Sequence, residues 1–150
     1  ENMFANERRV KHYFKDMHDW SEYVGITVKQ PDVFPVNSVK GMRGAIYAAQ
    51  QDRIIPYSRA LFAAYWGDNR DISQPEVLLD ICLSSGLDKD GFLAAIADQS
   101  YKDQLRDNTD ELVARGGYGS PTLFINGDDM YFGNDRLPLV EHRLRQLLAQ

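Results

Sequence analysis

A turn signal between two apolar runs sets the reading of this chain. Residues 119–136, GSPTLFINGDDMYFGNDR, place the strand-prone run Thr122-Leu123-Phe124-Ile125 before Asn126-Gly127 and Met130-Tyr131-Phe132 after it. Asn and Gly accept the positive φ of a tight hairpin turn, so the two runs are predicted to pair as antiparallel strands. Pro121 has no amide proton and a fixed φ, which suits the residue that opens a strand. With a cis bond at Ser120–Pro121, the backbone groups of Ser120 turn outward and stay free for an extended ligand. Gly133 breaks the second strand. Asn134 or Asp135 is expected to cap a helix that runs to the C-terminus, with Leu137, Val140, Leu144, Leu147 and Leu148 on one face. The unpaired amides and positive dipole end at that start attract an anion, and Asp135 suits an ammonium group. A plain hairpin with an ordinary cap explains the same residues.

Upstream, the pattern is helical. Val10, Phe14 and Met17, with Tyr13, Trp20 and Val24, recur at three- and four-residue steps. Pro31, Phe34-Pro35 and Asn37 punctuate a loop over 25–38. Residues 44–49 are small and apolar, suited to close packing. Residues 54–65 put Tyr57, Leu61, Ala64 and Tyr65 on one face, and Gly67 is expected to end that helix in the left-handed conformation. Ser73 is expected to cap the next helix, whose first turn holds Pro75 and Glu76. Short and long helical patterns follow over 87–97 and 100–115, the second with Leu105, Thr109, Leu112 and Val113 facing inward.

The size and balance of the chain narrow its class. With 150 residues and 43% hydrophobic content it can bury one sizeable core. A net charge of −5 and the lack of a basic cluster argue against a nucleic-acid surface. No apolar run is long enough to span a bilayer. His12 and His18 lie six apart, on different sides of a helix, and are expected at the surface rather than on a metal. Cys82 is the single cysteine, so no internal disulfide forms. It sits on an apolar helical face and reads as a buried, inert thiol, in keeping with a reducing cytoplasm. Lys40, Arg43 and Arg53 face either an acidic substrate or plain solvent. Tyr65 and Trp66 line either an aromatic substrate pocket or a core stripe.

GSPTLFINGDDMYFGNDRLPLVEHRL resembles the C-terminal signature of the 2-hydroxychromene-2-carboxylate isomerase family. That family is a glutathione-dependent branch of the DsbA-like thioredoxin fold, close to kappa-class glutathione transferases. The segments around Lys15–Trp20, Phe34-Pro35 and AYWGDNRDISQPEVL are similar to it as well. The resemblance implies an α/β thioredoxin-like fold, with a large helical insertion over 1–117 and the ββα part of the thioredoxin-like domain over 118–150. It implies glutathione as cofactor, with Ser120 presenting backbone groups to the cysteinyl unit beside a cis Pro121. Asn134 and Asp135 would hold the γ-glutamyl end. It further implies a homodimer acting on an aromatic-derived carboxylate, as isomerase or as kappa-type transferase. The family's catalytic serine lies on an opening strand-helix-strand unit that no residue here matches, so about the first quarter of the protein is expected outside this sequence. Two other readings stand beside it. A DsbA-type thiol-disulfide oxidoreductase needs a cysteine pair, which Cys82 cannot supply; a non-catalytic helical module predicts no glutathione affinity.

Overall fold

Helices α1 (Glu7–Val24), α2 (Val39–Gln50), α3 (Ile54–Phe62), α4 (Pro75–Ser84), α5 (Lys89–Ala97) and α6 (Gln99–Ala114) precede strands β1 (Thr122–Ile125) and β2 (Asp129–Phe132), and α7 (Leu137–Leu148) closes the order. This computed structural model describes residues 6–149. Two compact units divide the chain, Glu1–Lys102 and Asp103–Gln150.

In the first unit, α2 to α5 enclose the core. Tyr57, Leu78, Cys82 and Phe92 are its largest fully buried side chains. Small residues on α2 let this happen: a Cβ on Gly44 would stand 2.3 Å from the Tyr57 hydroxyl and 2.6 Å from the Phe92 ring. Tyr57 offsets the burial of its hydroxyl by donating to the Gly41 carbonyl at 3.0 Å. Asn6 caps α1 by accepting from the amides of Arg8 and Arg9, and Asp88 caps α5 by accepting from Gly91 at 2.6 Å.

Two expected helix boundaries differ. Gly67 does not take the left-handed conformation. The chain widens instead into a π-helical turn, Ala63–Gly67, closed by the Asp68 amide on the Ala63 carbonyl at 2.9 Å, and Asn69 takes the positive φ. The wide turn keeps Ala64 and Tyr65 in the core while the chain leaves the helix. Nor does Ser73 cap α4. Its hydroxyl and amide both donate to Asp71 Oδ1, at 2.6 and 2.9 Å, and Gln74 takes the cap position with no side-chain bond to the helix amides. Pro75, at the first helical position, has no amide to satisfy.

In the second unit, β1 and β2 pair antiparallel, from Thr122 against Phe132 to Ile125 against Asp129. The connection has three residues, and Asn126 and Gly127 both adopt positive φ, at 46° and 100°. Arg115 lies 3.7 Å over the Phe124 ring and donates to the Gly127 carbonyl at 2.6 Å. Arg143 on α7 pairs with Asp129 at 2.7 Å. Of the α6 positions expected to face inward, Thr109 and Val113 are exposed. On α7 only Val140 is buried, while Leu137, Leu144 and Leu148 are exposed.

Candidate functional site

The hairpin base gathers four of the sequence-nominated residues. The Ser120–Pro121 bond is cis. Because β1 and β2 run antiparallel, the start of β1 meets the end of β2, and the Gly133 amide donates to the Pro121 carbonyl at 3.0 Å. Ser120 and Pro121 thereby stand beside the segment holding Asn134 and Asp135, and all four are exposed. The Ser120 N–H and C=O have no hydrogen-bond partner among the described residues. Phe132 packs on this base, its ring 4.6 Å from that of Tyr118 and within 2.6 Å of where a Gly119 Cβ would stand.

Neither Asn134 nor Asp135 caps α7. Residues Asn134–Arg136 form one 3-10 turn, Arg136 holds the cap position, and no side chain accepts from the helix amides. The physical reason is local: Asp135 pairs with the neighbouring Arg136 guanidinium at 2.9 Å instead. Both side chains are half exposed, a setting in which an ion pair is worth little. The amides of Asn134 and Asp135 consequently have no partner among the described residues. The base thus offers unpaired donors, one carboxylate, and the free backbone groups of Ser120.

A second feature lies within the first unit. A cleft of about 760 Å³ is lined by Ile26, Val28, Arg59, Phe62 and Trp66 among others. The linker that follows α1 builds one wall. Its Lys29 amide donates to the Trp66 carbonyl at 2.7 Å, Asp32 and Asn69 exchange hydrogen bonds, and the Phe34 ring lies 6.2 Å from Trp66. The structure separates the two aromatic candidates. Trp66 lines the cleft, whereas Tyr65 turns into the core and donates its hydroxyl to the Val33 carbonyl at 2.9 Å. Burial pushes the Tyr65 hydroxyl pKa upward, with the nearby Asp71 adding to it. Sequence reasoning missed Phe62 and Arg59; the available signal was an apolar side chain on the outward face of α3, where Phe62 and Ile55 are both exposed.

Cys82 is buried, and burial first, then Asp88, pushes its thiol pKa up, so it is a poor nucleophile. His12 and His18 are exposed on α1. Among the described residues, no cluster of three or more His, Cys, Asp or Glu side chains is arranged to hold a metal. No helix among them is long and apolar enough to cross a membrane.

The cis bond at Ser120–Pro121 is the geometry that the sequence resemblance implied. The model of the DSBA-like thioredoxin domain matches residues 1–145. The chain belongs to that family. Within the DSBA-like family, it is 29% identical over 139 residues to 2-hydroxychromene-2-carboxylate isomerase from Pseudomonas putida, covering 90% of this chain and 65% of that one. It is 32% identical over 93 residues to human glutathione S-transferase kappa 1, covering 58% of this chain and 41% of that one. A solved 2-hydroxychromene-2-carboxylate isomerase superimposes with a TM-score of 0.83 at 23% identity, over 95% of this chain and 68% of that one. The fold is therefore thioredoxin-like of the DsbA type, with a large helical insertion. The chain spans less than two thirds of the length of these two curated relatives.

Proposed function

We propose that this DSBA-like chain serves a glutathione-dependent isomerase or kappa-type transferase acting on an aromatic-derived carboxylate of the 2-hydroxychromene-2-carboxylate type. The observation that carries the reading is the Gly133–Pro121 hydrogen bond, which sets the unpaired Ser120 backbone beside Asn134 and Asp135. The names of the relatives point the same way.

The residues present fit the peptide. A γ-glutamyl end is a zwitterion, and it needs both donors and one negative side chain. The unpaired amides of Asn134 and Asp135 suit its carboxylate, and the Asp135 carboxylate suits its ammonium. The Asp135–Arg136 pair is exposed enough to share Asp135 at small cost. The Ser120 N–H and C=O suit the peptide groups of the cysteinyl unit, as one more extended segment pairing with free backbone. Glutathione, when bound, supplies the thiol sulfur as nucleophile. In the first unit, the apolar walls of the Trp66 cleft suit an aromatic body, and Arg59 carries no ion pair among the described residues, which suits a carboxylate at the rim. The same reading carries a homodimer and a cytoplasmic setting. A DsbA-type oxidoreductase is the alternative reading; it needs a reactive cysteine pair, and the buried Cys82 does not supply one.

Calorimetric titration of the chain with glutathione tests the site. Wild type is expected to bind, Asp135→Asn to bind about ten-fold or more weakly through loss of one charge-assisted contact, and cysteinylglycine, which lacks the γ-glutamyl end, to bind weakly to both. Equal affinity of wild type and Asp135→Asn would remove the assigned role of Asp135, and no binding by wild type would remove the glutathione reading.

A further inference from the structure

A small cavity of about 190 Å³ lies where α2 begins, lined by Asn37, Val39, Lys40, Arg43 and Ser73. It is separate from the Trp66 cleft, with which it shares no lining residue. Lys40 and Arg43 are three apart on α2 and so share a helix face, where like charges repel. Neither has a carboxylate partner among the described residues. Arg43 donates from Nη1 to the Ile96 carbonyl at 3.1 Å, yet its Nε is buried without any partner. An orphaned donor on a charged group costs free energy unless something fills its place.

Ser73 narrows what that something is. Its hydroxyl hydrogen is committed to Asp71 Oδ1 at 2.6 Å, and Asp71 Oδ2 accepts from Gln74 at 2.7 Å. Asp71 is held well below the usual carboxylate range by those hydrogen bonds, Ser73 first and Gln74 next. With Asp71 ionised, the Ser73 hydroxyl has no hydrogen to give, and because it also accepts from the Gln74 side chain at 3.2 Å it offers the cavity one lone pair. Asn37 likewise uses its carbonyl oxygen to accept from the Val39 amide at 3.2 Å, which leaves its NH2 group as a donor. The lining therefore combines two cations, an amide donor, and one acceptor.

We propose that this cavity binds a small oxyanion that carries a proton, of the hydrogenphosphate type, held between Lys40 and Arg43 with its O–H given to Ser73. Such an ion neutralises the paired cations that line the cavity and uses the lone pair that Ser73 offers there. A carboxylate or sulfate supplies the charge but no hydrogen for Ser73. The ion is either free phosphate or the phosphate of an organic monoester.

Titration of the intact chain with inorganic phosphate and with phenyl phosphate, against chloride at matched ionic strength and at about pH 5, where both phosphates carry a proton, tests this. Saturable binding with a matching rise in Tm is expected, because a ligand of the folded state stabilises it by mass action. Tighter binding of inorganic phosphate assigns the free ion; tighter binding of phenyl phosphate assigns the monoester. In Lys40→Met the affinity is expected to fall ten-fold or more, with Arg43→Gln falling similarly. Lys40 is exposed, so Lys40→Met remains decisive where Arg43→Gln fails to fold. No saturation by either probe overturns the proposal. So does an unchanged affinity in Lys40→Met, because salts that act by exclusion from the surface stabilise without saturating.

Discussion

The two units are held together by different means. In the first, Ala48, Tyr57, Leu78, Cys82 and Phe92 are completely buried within one continuous cluster. In the second, only Ile125 and Val140 are buried among the described residues. Its hairpin relies on the strand ladder, Arg115 stacked over Phe124 and the Arg143–Asp129 pair. A four-helix core gains stability from apolar area removed from water, which is large and undirected. A two-stranded hairpin has little such area and depends on a few placed contacts. That contrast suits a binding edge, since a surface that must receive ligand backbone cannot also be fully packed.

The largest expected effect lies in the packed unit. Phe92→Ala removes a fully buried ring that touches Tyr47 and Tyr57 and should cost about 3–5 kcal/mol. Ile125→Ala in the hairpin should cost distinctly less, because its surroundings can relax. Denaturant midpoints for the two variants compare them, and equal losses would break the contrast.

Alkaline pH should act next, and mainly on the first unit. Burial raises the Tyr57 hydroxyl pKa above its ordinary range and raises that of the Cys82 thiol as well. An acid whose folded pKa is raised holds its proton after the unfolded chain has lost it. Stability should therefore fall as pH climbs past about 8.5, where an unfolded thiol ionises, and faster past about 10, where an unfolded tyrosine does. Unfolding free energy measured from pH 7 to 11 checks this, and Tyr57→Phe should flatten the upper part of the curve. Tyr131 in the hairpin is shifted up too, first by burial and then by Asp129, but it is only half-buried and should contribute less.

The smallest effect belongs to the surface contacts. Arg143→Ala should cost less than about 1 kcal/mol, as exposed ion pairs do. Hydrogen exchange sharpens the same contrast: amides of α2 to α4 should exchange far more slowly than those of β1 and β2. Slower exchange in the hairpin would mean that it is the more stable unit.

The hairpin was legible because its determinants are local. Asn126 and Gly127 announce positive φ, and each does adopt it. The Trp66 cleft was only half legible, because spacing alone cannot tell Tyr65 from Trp66. Their fates are decided by the π-helical turn, which depends on Asp68 reaching back to Ala63. Caps failed where a nearer partner intervened, Arg136 for Asp135 and Asp71 for Ser73. Asn6 and Asp88 do cap helices, and both were visible as residue types but competed with many similar residues nearby. The cavity at Lys40 and Arg43 depends on Ile96 and Ser73, remote in sequence, so no local pattern reveals it.

The position of Trp66 has an optical consequence. The chain contains two tryptophans, Trp20 on α1 and Trp66 beside the cleft, and both lie in the first unit. The second unit has only tyrosines as phenolic emitters, Tyr118 and Tyr131. Indole emission is thus a built-in gauge of one unit and silent about the other. A melting curve followed by emission will separate from one followed by ellipticity wherever the hairpin frays ahead of the helical core, and quenching of Trp66 will report an occupant of the cleft without any added label.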